Sequence, residues 1–136
     1  MTSTARKRQG EFRNIHVTQI LKYRLPLPGI MSILHRISGA VMFLMLPVFV
    51  YLLDLSLTSE LSYAQLLDLA DLTIVKIVFC GLAFAFIHHF WGGIRHLVND
   101  MHIGIDKEAA PKMARVFLGL SLATTALACL AIFGVI

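Results

Sequence analysis

Residues 116–136 read VFLGLSLATTALACLAIFGVI, a run without a charged side chain. An α-helix rises about 1.5 Å per residue, so roughly 20 apolar residues cross the ~30 Å hydrocarbon core of a bilayer. In lipid, the backbone polar groups of such a segment must be hydrogen-bonded internally, which favours a helix. The run is long enough by itself and therefore predicts one transmembrane helix.

Two shorter charge-free runs precede it, Ile37–Leu53 and Ile77–Ile94. Both reach spanning length when they are extended into the neighbouring residues on one side. The sequence therefore predicts an all-α integral membrane protein with an N-terminal segment of residues 1–29 and a three-helix transmembrane domain of residues 30–136. The three helices are expected at about residues 30–55, 70–98 and 112–136.

The composition supports a membrane protein. Hydrophobic residues make up 57% of the chain and charged residues 15%, whereas soluble domains have about 45–50% and about 25%. This excludes a disordered chain, a nucleic-acid-binding domain and most soluble enzymes. The two cysteines, Cys80 and Cys129, lie inside apolar runs without a C-x-x-C motif, so the sequence indicates neither a disulfide framework nor a thiol metal site.

Basic residues are concentrated on one side of the predicted spans. Residues 1–36 carry seven Lys and Arg against one acid, the segment 54–71 carries four acids and no base, and the segment 95–115 carries four bases. By the positive-inside rule, the N-terminus lies inside, in the cytoplasm or the mitochondrial matrix, and the C-terminus lies outside. Lys76 is the one basic residue that falls on the outer side.

Ionisable side chains inside a bilayer are costly and indicate a functional site. They fall in the inner halves of the first two spans, together with two serines: Ser32, His35, Arg36, Ser38, His88, His89, Arg95 and His96. By distance from the ends of the charge-free runs, His88 and His89 are the deepest titratable groups, and no second histidine is expected at their depth on another helix. Arg36 and Asp100, both near inner ends, are expected to form an ion pair.

Residues three, four and seven positions apart share one face of a helix. Two such faces carry Ser32, His35, Arg36 and Gly39, and His89, Gly93, His96 and Asp100. A buried imidazole beside small residues, here Gly81, Ala85, Gly92 and Gly93, leaves room for a flat cofactor, which is what a haem in a membrane needs. The alternatives are histidines that only hydrogen-bond a neighbouring helix, and His35 and Arg36 as interfacial anchors.

Two motifs carry a family resemblance. The stretch Ser32–Gly39, SILHRISG, resembles the S-x-x-H-R-x-S-G motif of the cytochrome b subunit of succinate dehydrogenase. The stretch His89–His96, HFWGGIRH, resembles that family's second motif, in which a haem-ligating histidine is followed seven residues later by the histidine of G-I-R-H. With three spans and an acidic outer segment, the resemblance covers nearly the whole chain from about residue 13.

The resemblance implies the membrane-anchoring cytochrome b subunit of succinate dehydrogenase, complex II of the respiratory chain and an enzyme of the tricarboxylic acid cycle. It implies that His89 is an axial ligand of the iron of haem b, and a shifted register would give that role to His88. Contacts with the haem propionates are implied for His35, Arg36 and His96, and contacts with the ubiquinone head group for Ser32 and Arg36.

The resemblance also implies partners. A second small membrane-anchor subunit would supply the other axial haem ligand. An iron–sulfur subunit and a flavoprotein subunit with FAD would oxidise succinate and deliver its electrons to the quinone site. The expected location is the bacterial inner membrane, with the mitochondrial inner membrane as the alternative. Two other interpretations stay open: a membrane anchor of the fumarate reductase type, and a cofactor-free helical anchor or assembly subunit.

Overall fold

The structure, a computed structural model, describes residues 24–135. Within that range the chain forms four helices and no strand: α1 Leu27–Thr58, α2 Glu60–Asp71, α3 Thr73–Asp100 and α4 Ala109–Ile132. Three of them, α1, α3 and α4, are long and apolar enough to cross a membrane. The predicted all-helical chain with three candidate membrane spans is confirmed for this part of the molecule. The inside–outside orientation stays a prediction, and most of the 1–29 segment lies outside the described residues.

Helix α1 begins at Leu27, earlier than the sequence suggests, because its first turn tolerates proline. Pro26 is the N-cap and Pro28 lies in the first turn, where a missing N–H costs no hydrogen bond. The helix continues through Pro47 to Thr58 without a break. It therefore extends at both ends beyond the charge-free run from which it was predicted.

Helix α2 occupies a segment that the charge pattern alone would leave as an acidic loop. Ser59 and Ser62 form a capping box, in which each side chain accepts a hydrogen bond from the other's backbone N–H at 3.1 Å. The Ser62 hydroxyl also donates to the carbonyl of Leu55 at 2.7 Å, which ties the start of α2 to the end of α1. The negative charge of Glu60 in the first turn interacts favourably with the positive end of the helix dipole.

The helices pack with an apolar outside and a largely polar inside. In the described part of the chain the buried apolar residues are Met31, Ala85 and Ala114, and the buried polar or charged residues are Ser38, His88, Arg95 and Ser121. Large apolar side chains are exposed along all three long helices. In a bilayer this arrangement is stable, because lipid solvates apolar side chains while polar groups seek partners between helices.

The connection between α3 and α4 is short, so the two helices run antiparallel. It includes Gly104, which adopts a left-handed φ of 72°, and a Cβ at that position would overlap the Met113 side chain. Glycine is therefore required at this turn. Helix α3 packs against both α1 and α4, and its two faces carry different polar contacts.

Candidate functional site

Helices α1 and α3 interlock through two imidazoles and two glycines. A Cβ built on Gly92 of α3 would lie 2.6 Å from Cδ2 of His35, and a Cβ on Gly39 of α1 would lie 2.8 Å from Cε1 of His89. Each histidine therefore fills the space over a glycine of the opposite helix. A side chain at either glycine would push the imidazole away from its helix.

The ring of His89 is held by the backbone of α1. Its Nδ1 lies 2.9 Å from the carbonyl oxygen of His35, and a carbonyl oxygen can only accept, so Nδ1 carries the proton and donates. The hydroxyl of Ser38 donates to the same carbonyl at 2.9 Å and lies 3.4 Å from Nδ1. This tautomer leaves the Nε2 lone pair of His89 available to bind a metal or accept a proton.

The ring of His35 lies against the ring of His89, which corrects the expectation that no second histidine lies at the depth of His89. The two rings stack with centroids 4.0 Å apart and an angle of 9° between their planes. The expectation was wrong because depth was counted from the ends of the charge-free runs, whereas the packing of His35 over Gly92 sets the relative height of α1 and α3. Its Nε2 is buried without a hydrogen-bond partner in the described chain. The ring of half-buried His96 lies 5.0 Å from that of His35, centroid to centroid.

His88 faces a different side of α3, about 100° around the helix from His89. It is fully buried against α4, where its Nδ1 lies 3.2 Å from the hydroxyl of Ser121. One turn further along α3, the indole N–H of Trp91 donates to the Thr124 hydroxyl at 3.2 Å. The two contacts form a polar seam between α3 and α4 that encloses His88. The ring of Phe84 covers it one turn earlier, at 5.4 Å between centroids.

The small residues divide into filled and open positions. His35 fills the space over Gly92, and Ala85 is buried. A Cβ on Gly93 would meet only Nε2 of His35, at 3.9 Å, and one on Gly81 would meet no atom within 4 Å. The expected glycine surface for a flat cofactor is therefore reduced, and Gly93, one turn from His89 on the same face, remains open.

Ser32 and Arg36 lie on α1 near this cluster. Ser32 is half-buried and Arg36 is exposed. Within the described residues, neither side chain makes a hydrogen bond to the protein, and Lys76 with Asp71 forms the one ion pair.

The expected ion pair between Arg36 and Asp100 is absent. The contact of His35 with Gly92 sets the antiparallel register of α1 and α3, which brings Arg36 level with residues 91 and 92. Asp100 ends α3 about eight residues beyond that level, roughly 12 Å away along the axis. The pairing was expected because both residues lie at ends of charge-free runs, but those ends do not lie at one height.

Arg95 is buried on the face of α3 that also carries His88. It is 6% exposed and its Nε has no hydrogen-bond partner in the described chain, as is also true of the buried Oδ1 of Asn99 one turn further on.

The sequence alone assigned no role to Ser38 or Ser121. Ser38 lies three residues after His35, so its spacing could have placed it on the same helix face. The contact of Ser121 with His88 depends on the register of α3 against α4, which the sequence does not give.

Comparison with known proteins gives one family and several relatives. The family model for the succinate dehydrogenase/fumarate reductase transmembrane subunit matches residues 13–128. The chain is 32% identical to the succinate dehydrogenase cytochrome b556 subunit of Rickettsia felis over 87 residues, which are 64% of this chain and 67% of that protein.

Two other relatives are matched over more of their length. The cytochrome b560 subunit of succinate dehydrogenase from Reclinomonas americana is 31% identical over 112 residues, 78% of this chain and 77% of that protein. The cytochrome b556 subunit from Paracoccus denitrificans is 28% identical over 111 residues, 82% of this chain and 85% of that protein.

Proposed function

Since the chain belongs to the family of succinate dehydrogenase/fumarate reductase transmembrane subunits, we propose that it binds haem b and forms part of a ubiquinone-reduction site. As a membrane subunit of a succinate dehydrogenase complex, it is part of an oxidoreductase. The name cytochrome b, shared by its relatives, implies haem b. Residues 1–29 are the inner segment and residues 30–136 the transmembrane domain of this proposal.

The hydrogen bond from Nδ1 of His89 to the carbonyl of His35 is the observation that carries the proposal. Histidines that bind metals almost always donate their other ring N–H to a carbonyl or carboxylate, which fixes the tautomer and makes the ligating nitrogen more basic. His89 has this arrangement, and the open surface at Gly93 adjoins it. These residues fit a haem. When bound, haem supplies reversible one-electron transfer, and His89 would hold its iron through Nε2.

The surroundings of His88 argue against the alternative ligand. Its ring is enclosed between α3 and α4 and its Nδ1 lies 3.2 Å from Ser121. The remaining nitrogen, Nε2, is buried without a hydrogen-bond partner in the described part of the chain. A macrocycle could reach His88 only if α4 or α1 moved away, so we assign His88 to packing and His89 to the haem.

The second ligand of the haem iron would come from another chain in this proposal. The rings of His35 and His89 are stacked face to face with their centroids 4.0 Å apart. This arrangement leaves no space for an iron atom between the two imidazoles, so His35 would not hold the same iron as His89. A companion membrane-anchor subunit is the source that the family resemblance suggests.

Ser32 and Arg36 are proposed to bind the quinone head group. Quinone reduction adds two electrons and two protons, and a fixed cation with a neutral donor stabilises the negative charge that develops on the carbonyl oxygens. Arg36 supplies the cation and Ser32, one turn before it, supplies the hydroxyl. His35, His96 and Arg36 are proposed to contact the haem propionates, because cationic donors pair strongly with carboxylates.

The electrons are proposed to arrive from the inner face of the membrane. The flavoprotein subunit with FAD and the iron–sulfur subunit would dock there, on the side that carries most of the Lys and Arg residues. The N-terminus lies on that side and the C-terminus on the outer side. For this orientation, the bacterial inner membrane is the proposed location. An anchor of the fumarate reductase type would use the same residues with electrons flowing in the opposite direction.

The test compares two identical changes in neighbouring residues, His89→Asn and His88→Asn. An asparagine amide can still donate to the carbonyl of His35 or bond to Ser121, so each variant keeps the local hydrogen bond and loses only the outer ring nitrogen. We expect His89→Asn to abolish or alter the haem band in the reduced-minus-oxidised spectrum of the purified complex. His88→Asn should leave the band unchanged.

Co-purification of the other subunits with both variants controls for assembly. An unchanged haem band in the His89→Asn complex would contradict the ligand assignment. A colourless but fully assembled wild-type complex would instead support the cofactor-free anchor.

A further inference from the structure

The two cysteines, Cys80 on α3 and Cys129 on α4, take no part in the proposed function. They are the only cysteines in the sequence, and both are partly exposed free thiols. The sequence alone gives no reason to pair them, since they lie far apart along the chain and each belongs to a different apolar run. The packing of α3 on α4 supplies a reason.

The register of the two antiparallel helices brings the cysteines to one level. His88 on α3 faces Ser121 on α4, with 3.2 Å between Nδ1 and the hydroxyl. Cys80 lies eight positions before His88 on α3, and Cys129 lies eight positions after Ser121 on α4. Because the helices run in opposite directions, these equal steps lead to facing positions. Both steps lead towards the end of the bundle that is predicted to lie outside.

The cysteines also lie on the two ridges that meet at this interface. Residues four apart form a continuous ridge along a helix. On α3 the ridge runs Cys80, Phe84, His88, and the last two rings are in contact at 5.4 Å between centroids. On α4 it runs Ser121, Thr125, Cys129. The two cysteines therefore lie at one level on ridges that face each other.

We infer that Cys80 and Cys129 form a disulfide site that links α3 to α4, closed by thiol–disulfide exchange with a small apolar disulfide. One thiol attacks the oxidant, forms a mixed disulfide and releases one thiol. The second cysteine then attacks the protein sulfur and releases the other thiol. Two S–H bonds are converted into one S–S bond, and the oxidant carries away both protons and both electrons.

The surroundings of Cys80 allow this reaction. The adjacent Gly81 is exposed, and a Cβ at that position would meet no atom within 4 Å, so a small oxidant can reach the thiol. In the proposed orientation the pair lies in the outer half of the membrane-spanning helices, on the side of the compartment where disulfides persist. A closed disulfide would fix the register that seats His88 against Ser121. The inference does not depend on haem or quinone binding.

The experiment treats the assembled complex in its membrane with 4,4′-dithiodipyridine, a permeant aromatic disulfide, and measures the intact mass of this chain. We expect a loss of two hydrogens with no pyridyl adduct, and a proteolytic digest in which the peptides containing Cys80 and Cys129 are joined. Both changes should reverse on reduction. A chain that carries two stable pyridyl adducts, or that is joined to a second chain, would overturn the inference.

The matched control moves one thiol off the interface. The double variant Cys129→Ala with Ala123→Cys keeps two cysteines in the chain, but Ala123 is exposed and lies about 120° around α4 from the Cys129 face. We expect this variant to stop at two pyridyl adducts. If it closes a disulfide as completely as the wild type, the facing register is not the cause and the inference fails.

Discussion

Replacement of Gly39 by alanine tests whether the imidazole–glycine interlock holds the proposed haem ligand. The new Cβ would lie 2.8 Å from Cε1 and 3.2 Å from Nδ1 of His89, whereas ordinary contacts begin near 3.4 Å. The ring must therefore move away from α1 by about 0.6 Å. Its hydrogen bond to the carbonyl of His35, now 2.9 Å, would lengthen to about 3.5 Å, beyond a useful hydrogen bond.

The expected effect is larger on the haem than on the fold. Loss of a buried hydrogen bond costs about 1–3 kcal/mol, but alanine in place of a helical glycine returns about 1 kcal/mol. The net loss in the free energy of unfolding is therefore about 0–2 kcal/mol. Removal of the group that orients a metal-binding histidine typically lowers metal affinity about 10–100-fold. We expect a loss of that size in haem affinity, measured by transfer of haem from the purified complex to excess apomyoglobin.

Gly81→Ala is the matched control. Gly81 also lies within a membrane helix, and a Cβ there meets no atom within 4 Å. The control should gain the same helix propensity and keep the haem affinity of the wild type. If Gly39→Ala retains haem as tightly as Gly81→Ala, with both complexes assembled, then His89 is not held through this contact and the reasoning is refuted.

Three other experiments test individual side chains. Ser32→Ala or Arg36→Leu should lower quinone reductase activity while succinate oxidation by an artificial dye continues; equal loss of both activities would indicate an assembly defect. Ser121→Ala removes the hydrogen-bond partner of the buried His88 imidazole and should cost about 1–3 kcal/mol of stability. We expect a lower unfolding temperature with an unchanged haem spectrum, and an unchanged unfolding temperature would refute this prediction. Lys76 lowers the pKa of Asp71 through a hydrogen bond and its charge, so the small stabilisation by this ion pair is present at neutral pH and lost as the pH falls through that lowered pKa. Lys76→Gln should remove this pH dependence of the unfolding temperature. An unchanged dependence of the unfolding temperature on pH would contradict the prediction.

The sequence predicted the helices well in the segments where lipid requires the backbone to be hydrogen-bonded internally. A charge-free run of near-spanning length in a bilayer has no alternative to a helix, so three spans follow from counting. Helix ends were predicted less well, because they depend on local capping that hydropathy does not describe. Helix α1 starts early because proline is tolerated in a first turn, and α2 forms because Ser59 and Ser62 cap it.

The candidate site was predicted as residue types on helix faces, not as contacts. Spacing grouped His35 with Gly39 and His89 with Gly93 within each helix. It could not show that each imidazole lies over a glycine of the opposite helix, or that Arg36 lies far from Asp100. Those facts depend on the relative height of α1 and α3. The residue spacing within one helix carries no information about that height.

The amino-acid sequence by itself determined that the chain is a helical membrane protein, and its two motifs identified the family. Those properties depend on local hydropathy, on charge and on residue order, which can be read one segment at a time. Only the tertiary structure decided which of two adjacent histidines is enclosed by α4 and which is oriented by a carbonyl of α1. Neighbouring residues on a helix point about 100° apart, so their different roles depend on which helix packs against each face.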